Sequence, residues 1–217
     1  DKIYKWLIEN DKYYNFCISY KDYETYKRDG ANVDKLLVCP NGAQHRDYHF
    51  TEKPLKPSWT LYLGRIEPRK RQYLYQDIYG VEFVGKYTDT TSFDRNRDCY
   101  LGQWEHEYKL QHVTDYGNMM LLSDGENGTP LVIKEALVAG LGVVVSKYAA
   151  HDLDTSLPFV TVIPDDKWED IEYVQMKLIE NRKISVTMRK EIRQYGVDNF
   201  SWQKLVKTYV ENIEGME

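Results

Sequence analysis

At 217 residues and 25.7 kDa, the chain is long enough for one large domain or two small ones, and long enough to bury a real core. With 42% hydrophobic and 29% charged residues, wholesale disorder is excluded, and a net charge of −5 with a pI near 5.6 argues against a dedicated nucleic-acid binder. The longest apolar run, 136–145, contains two glycines and falls short of the roughly 20 residues a transmembrane helix needs.

No basic-then-apolar leader is visible, and the first residue is Asp1 rather than Met, which fits a piece cut from something longer. Residues 1–29 read as helix, short strand, helix. Apolar residues at Ile3, Trp6 and Leu7 mark one face of a helix over Asp1–Asn10, Phe16–Ser19 is a short strand, and Tyr20–Asp29 is a helix stopped by Gly30. Leu36–Cys39 reads as a buried strand, closed by the turn Pro40-Asn41-Gly42. Ala43–Ser58 is a linker-like loop.

From Trp59 the pattern becomes regular. Strands are expected at Trp59–Leu63, Val81–Val84, Cys99–Leu101, Met119–Leu122, Gly142–Ser146 and Phe159–Ile163. Helices are expected at Arg69–Tyr79, Glu105–Tyr116 and Pro130–Ala139, and a polar loop at Asp89–Asp98. Three further helices, Trp168–Asn181, Ile184–Asn199 and Trp202–Glu214, finish the chain. Short apolar strands alternating with helices imply an α/β fold with a Rossmann-like parallel sheet flanked by helices. Two units follow: a stub over 1–42 packed on a main domain over 43–217. Ligands of such sheets bind at the carboxyl ends of the strands, here at Gly64, Gly85, Gly102 and Ser123.

Cys17, Cys39 and Cys99 lie far apart with no paired spacing, and a reducing, cytoplasmic setting fits. The 19 tyrosines are the least ordinary count; they fit compositional bias better than sugar or base stacking surfaces.

Two clusters could carry chemistry. In Gly64-Arg65-Ile66-Glu67-Pro68-Arg69-Lys70-Arg71, cations follow a strand end, where an anionic ligand would meet Arg65 and Lys70; a solvated basic loop reads equally well. In the second, Ser123 to Ala136, Thr129 fits an N-cap and Pro130 the first helical position. Amides at that helix start could hold a phosphate. Glu135 sits in an otherwise apolar helix, where an unpaired charge is costly, and it could accept two ribose hydroxyls. His45 and His49 lie in a loop without zinc spacing, and Asp152-Leu153-Asp154 reads as a loop or helix cap rather than a metal motif.

Taken in order, these segments resemble the C-terminal, donor-binding half of a GT-B glycosyltransferase, of the large retaining group (family four) that includes sucrose and glycogen synthases. The resemblance is carried by Val38-Cys39-Pro40-Asn41-Gly42, Leu61 to Lys70, Phe83-Val84-Gly85, Tyr100-Leu101-Gly102, Gly128 to Val144, and Phe200-Ser201-Trp202. It implies that Gly64 and the cations Arg65 and Lys70 hold the donor diphosphate, the two cations stabilising leaving-group charge in place of a metal. It implies that Gly128, Thr129, Pro130 and Leu131 present backbone amides to phosphate and sugar. It further implies that Glu135 binds the ribose, and that the backbone near Gly102, Gln103 and Trp104 faces the base.

Two departures matter. The family carries two glutamates eight residues apart, but Asn127 stands eight before Glu135, with Glu126 one earlier. Either Asn127 substitutes, or a bulge lets Glu126 reach the sugar. The family's acceptor-binding half is represented only by the stub. The resemblance implies a metal-independent, retaining transferase that takes a sugar from a nucleotide-sugar donor, UDP-sugar first and with a deoxysugar such as rhamnose as an option, to a glycan acceptor. It implies no further cofactor, no nucleic-acid partner and no transmembrane segment, with other domains of a larger polypeptide as further partners. The other open reading is a nucleotide-sugar-binding half-module without activity of its own.

Overall fold

The computed structural model describes residues 2–88 and 92–215. Asp1 of the first expected helix and residues 89–91 of the expected polar loop lie outside the described residues.

The N-terminal unit contains α1 (Lys2–Glu9), β1 (Asn15–Cys17), α2 (Tyr20–Arg28) and β2 (Leu36–Val38). The Ser19 side chain caps α2 by accepting from the Asp22 amide. The strands β1 and β2 pair in parallel over a small core of Ile8, Cys17, Ala31 and Leu36. Cys17 and Cys39 are buried, and burial pushes both thiols up, Cys17 to about 11, so both act as small core residues.

The main sheet has five parallel strands in the order β4 (Val81–Val84), β3 (Lys56–Leu63), β5 (Tyr116–Leu121), β6 (Gly142–Ser146), β7 (Val160–Ile163). All of β5 and β6 is buried, which fits their apolar stretches Met119–Leu121 and Val143–Val145. α3 (His106–His112) precedes β5, and α4 (Leu131–Val138) joins β5 to β6. α5 (Ile171–Thr187) lies against β3, β5, β6 and β7. α6 (Arg189–Phe200) packs on α4, and α7 (Trp202–Glu214) on α6.

Several expected elements differ. No helix forms over 69–79. Two 3-10 turns, Pro68–Lys70 and Gln72–Leu74, stand there, separated by Arg71 in the left-handed region at φ 57°. The Lys70 carbonyl accepts from the Tyr62 hydroxyl, and the Gln72 carboxamide turns inward to donate to the Arg65 carbonyl at 2.8 Å. These bonds replace the helical ladder. Residues 99–101 follow β4 through one bridge, Phe83 to Tyr100, instead of a full strand. The helix expected to reach Tyr116 ends at His112, because Tyr116 already belongs to β5. β3 starts at Lys56, three residues early.

The largest revision lies in α5, which runs through the expected break at 182–183. Asn181 and Arg182 look like helix-ending polar residues, yet both are buried and bonded to the sheet. Asn181 Nδ2 donates to the carbonyls of Val143 and Phe159, and its Oδ1 accepts from Asn118 at 2.9 Å. Arg182 donates to Thr60 Oγ1 at 3.1 Å. Satisfied buried polar groups of this kind fix the register of a helix on a sheet.

Candidate functional site

β3 turns to β4 on one side, while β5 continues the sheet on the other. Their carboxyl ends therefore flank the point where strand order reverses, the usual ligand crevice of an open parallel sheet. The loops 64–71 and 122–130 meet there. One buried hydroxyl joins them: Tyr62 donates to the Lys70 carbonyl and accepts from the Leu122 amide at 3.1 Å. The Asp124 amide donates to the Arg69 carbonyl at 2.9 Å. Gly85 (φ +150°) is required by close approach, since a Cβ would lie 2.0 Å from the Gly64 carbonyl oxygen. Arg71 holds its left-handed conformation by stacking on Trp168 and pairing with Asp124 at 3.5 Å. Such an outlier beside a crevice marks backbone that the surroundings over-determine.

Lys70 is largely buried, with Nζ 3.0 Å from Glu126 Oε1, and Arg69 lies 3.3 Å from the same oxygen. Burial opposes ionisation of Glu126, but the hydrogen bond and charge of Lys70, with Arg69 and Ser123, outweigh it and hold the carboxyl below its ordinary 4.5. Asn127 instead turns away and donates to Asp22 of α2. Of the two alternatives left by the sequence, Glu126 is the side chain brought to Lys70. Arg65 is exposed and 3.7 Å from Glu67, free to swing over the crevice.

A folded-state pKa below the unfolded value stabilises above the unfolded value and is lost as pH falls through the folded one. The Lys70–Glu126 pair therefore contributes fully above pH 4.5 and weakens below it. Glu126→Gln should flatten the acid limb of the stability curve. Parallel acid limbs in urea titrations of the two proteins would remove this assignment.

The 126–130 segment is held from two sides. From the N-terminal unit, Lys21 Nζ donates to the Glu126 carbonyl at 3.1 Å. A Cβ at Gly128 (φ +81°) would lie 2.7 Å from Ser19 Cβ. From the other side, Asp152 Oδ2 accepts from the Thr129 amide and the Asp152 amide donates to Thr129 Oγ1, both at 3.0 Å. This corrects the expected capping: Pro130 is the N-cap residue of α4, and Thr129 lies one residue before it. It also narrows the expected row of amides, because the Thr129 N–H is already engaged and Pro130 has none. Asp152, read as a loop or cap residue, does act as a clamp, and its charge opposes the burial that pushes the Lys134 ammonium down.

Glu135 is only 6% exposed. Its Oε1 receives Lys109 Nζ at 2.8 Å, while Oε2 is buried and unpartnered among the described residues. The Tyr48 hydroxyl is likewise buried without a well-formed bond. Burial, then the Glu135 charge, push the Tyr48 phenol far up. The Tyr48 hydroxyl and the Glu135 carboxylate face each other, and a hydrogen bond between them adds to the rise, so the buried pair partly satisfies itself. Lys109 belongs to α3, which begins two residues after Trp104. Trp104 itself packs between Tyr108 and Tyr116. Lys109, Tyr48, Lys21 and Asp152 carry no local motif, and only the tertiary fold brings them to the site.

No protein-family model and no curated sequence matches the chain. Solved structures do share its fold. HepE of Anabaena, in complex with UDP-glucose, superposes with TM-score 0.70 at 14% identity, covering 93% of this chain and 63% of that one. Sucrose-phosphate synthase from Thermosynechococcus elongatus gives 0.73 at 17% identity, over 99% of this chain and 61% of that one. The lipopolysaccharide outer core galactosyltransferase WaaB gives 0.69 at 18% identity, over 94% and 62%. The chain spans less than two thirds of the length of each. It has the fold of the C-terminal half of a GT-B glycosyltransferase.

Proposed function

We propose that the chain is the donor-binding domain of a glycosyltransferase that takes a nucleotide-diphosphate sugar, with UDP as the preferred nucleotide, in a cytoplasmic setting. The observation that carries this reading is the pairing of two charged anchors across the reversal point. Lys70, with Arg65 and Arg69, forms the first, and Glu135, one oxygen held by Lys109 of α3 and the other without a well-formed bond, forms the second. A diphosphate at the first and a ribose at the second match the charges. Lys70 and Arg65 would stabilise the departing diphosphate, which gathers charge as the glycosidic bond breaks, without a metal. Gly64 lets the phosphates approach the backbone, and Glu126, ion-paired to Lys70, would hold a sugar hydroxyl. Donor binding would then exchange protein ion pairs for ligand ones. Transfer with retention to a glycan hydroxyl, and a deoxysugar such as rhamnose as the donor sugar, belong to the same proposal.

Glu135→Gln separates ribose reading from phosphate holding. It should weaken UDP by about 1–3 kcal/mol, the scale of a hydrogen bond to a charged group, and leave inorganic pyrophosphate unchanged. Equal weakening of both would show that Glu135 does not read the ribose. Incubation with UDP-glucose, UDP-galactose and UDP-rhamnose, with UDP release as readout, tests catalysis. Release of UDP supports a transferase domain. Tight binding without release for any donor supports a half-module that needs its partner domain.

A further inference from the structure

A cavity of about 650 Å³ opens at the amino ends of β3 and β4, the end of the sheet opposite the crevice described above. Two aromatic rings form one wall. Trp59 and Tyr79 have centroids 5.7 Å apart at 48°, and Tyr79 is 81% exposed. Together the two rings leave an aromatic face open to the cavity, the kind of surface on which a ring can stack. The rest of the lining is mixed: Ile78, Val81 and Cys99 are apolar, while Asp77, Glu82 and Asp98 supply carboxylates, with Arg97 paired to Asp77 at 2.6 Å. The Glu82 carboxylate is fixed from behind by Lys56 Nζ at 2.6 Å and by the Tyr116 hydroxyl. Its position is set before any ligand arrives, which lowers the ordering cost of binding.

The lining chemistry selects among ligands. Three carboxylates against two cations, Arg97 on Asp77 and Lys56 on Glu82, leave Asp98 unneutralised among the described residues and disfavour phosphates, nucleotides and nucleic acid. A neutral, hydroxyl-rich ring suits it: its C–H face packs on Trp59 and Tyr79, and its hydroxyls donate to Asp77, Glu82 and Asp98. We infer that this cavity is a saccharide-binding site, separate from the donor crevice, that holds a neutral stretch of glycan. It does not depend on the donor assignment. If both stand, the site anchors a growing chain away from the reacting end. The abundance of tyrosine, read from sequence as compositional bias, then has a functional component at Tyr79.

The test is titration of the whole chain with neutral hexasaccharides of glucose, xylose and mannose, followed by the Trp59 indole resonance in a proton–nitrogen NMR spectrum and assigned with Trp59→Phe. The site predicts that at least one saccharide shifts that resonance at millimolar concentration. Tyr79→Ala, which alters an exposed side chain, should weaken that saccharide about tenfold or more and leave UDP affinity unchanged. Silence of Trp59 across the panel would overturn the proposal. So would full saccharide affinity in Tyr79→Ala, or displacement of the saccharide by spermidine, which would mark the pocket as one for cations. UDP titrated in parallel reports on the donor crevice alone, so failure of one site is not mistaken for failure of the other.

Discussion

Arg189→Ala should cost about 3–5 kcal/mol of stability and lower Tm by on the order of 10 °C, the largest structural effect expected in this chain. Arg189 is 2% exposed. Its guanidinium donates to the carbonyls of Thr51, Thr114 and Tyr116 at 2.6–2.9 Å, to Thr114 Oγ1 at 2.7 Å and to Ala139 at 3.4 Å. Burial pushes its pKa down to about 10, with Asp115 opposing, so the group is charged at neutral pH. One side chain thereby joins the lead-in to β3, the start of β5 and the end of α4. Alanine leaves those carbonyls buried without donors, and that loss, more than the loss of the charge, sets the size of the effect. Arg189→Met fills the volume without supplying donors and should recover little. A urea-derived loss below about 1 kcal/mol in Arg189→Ala would show that water replaces the guanidinium.

Lys70→Ala is expected to have the largest effect on ligand binding. It should weaken a nucleoside diphosphate by about 1–3 kcal/mol, roughly fivefold to more than a hundredfold. Two causes add: a charge-assisted bond is lost, and Glu126, now neutralised only by Arg69, faces the phosphates. Arg65→Ala should act in the same direction but less strongly, because Arg65 is exposed and its contribution is screened. Higher salt should weaken wild-type binding and narrow the gap between wild type and Arg65→Ala more than the gap to Lys70→Ala. Wild-type affinity in Lys70→Ala would remove this residue from the site.

Much of the architecture was legible because the parallel strands are buried, so the apolar stretches at Phe83–Val84, Met119–Leu122 and Val143–Val145 mark β4, β5 and β6. The order of strand-end glycines and the helix after Pro130 located the crevice. Where expectation and structure part, side chains had taken over from local propensity. Residues 69–79 have a helical composition, but Tyr62 captures the Lys70 carbonyl and Arg71 takes the left-handed conformation. Asn181 and Arg182 look like a helix end, yet their partners on the sheet are up to 122 residues away in sequence. The choice between Glu126 and Asn127 depended on Asp22, which lies 105 residues away and holds Asn127 outward. Lys109 and Tyr48 reach Glu135 only through the fold. Local pattern carries the scaffold, while the partners of buried polar groups are set by contacts remote in sequence.

Calorimetric titration of the unmodified chain with UDP, GDP and dTDP, alongside inorganic pyrophosphate, tests the central claim most directly. The account predicts saturable binding of UDP ahead of the other two nucleotides, with UDP tighter than pyrophosphate because Glu135 adds the ribose. Absence of heat for all three nucleotides at millimolar concentration would contradict it.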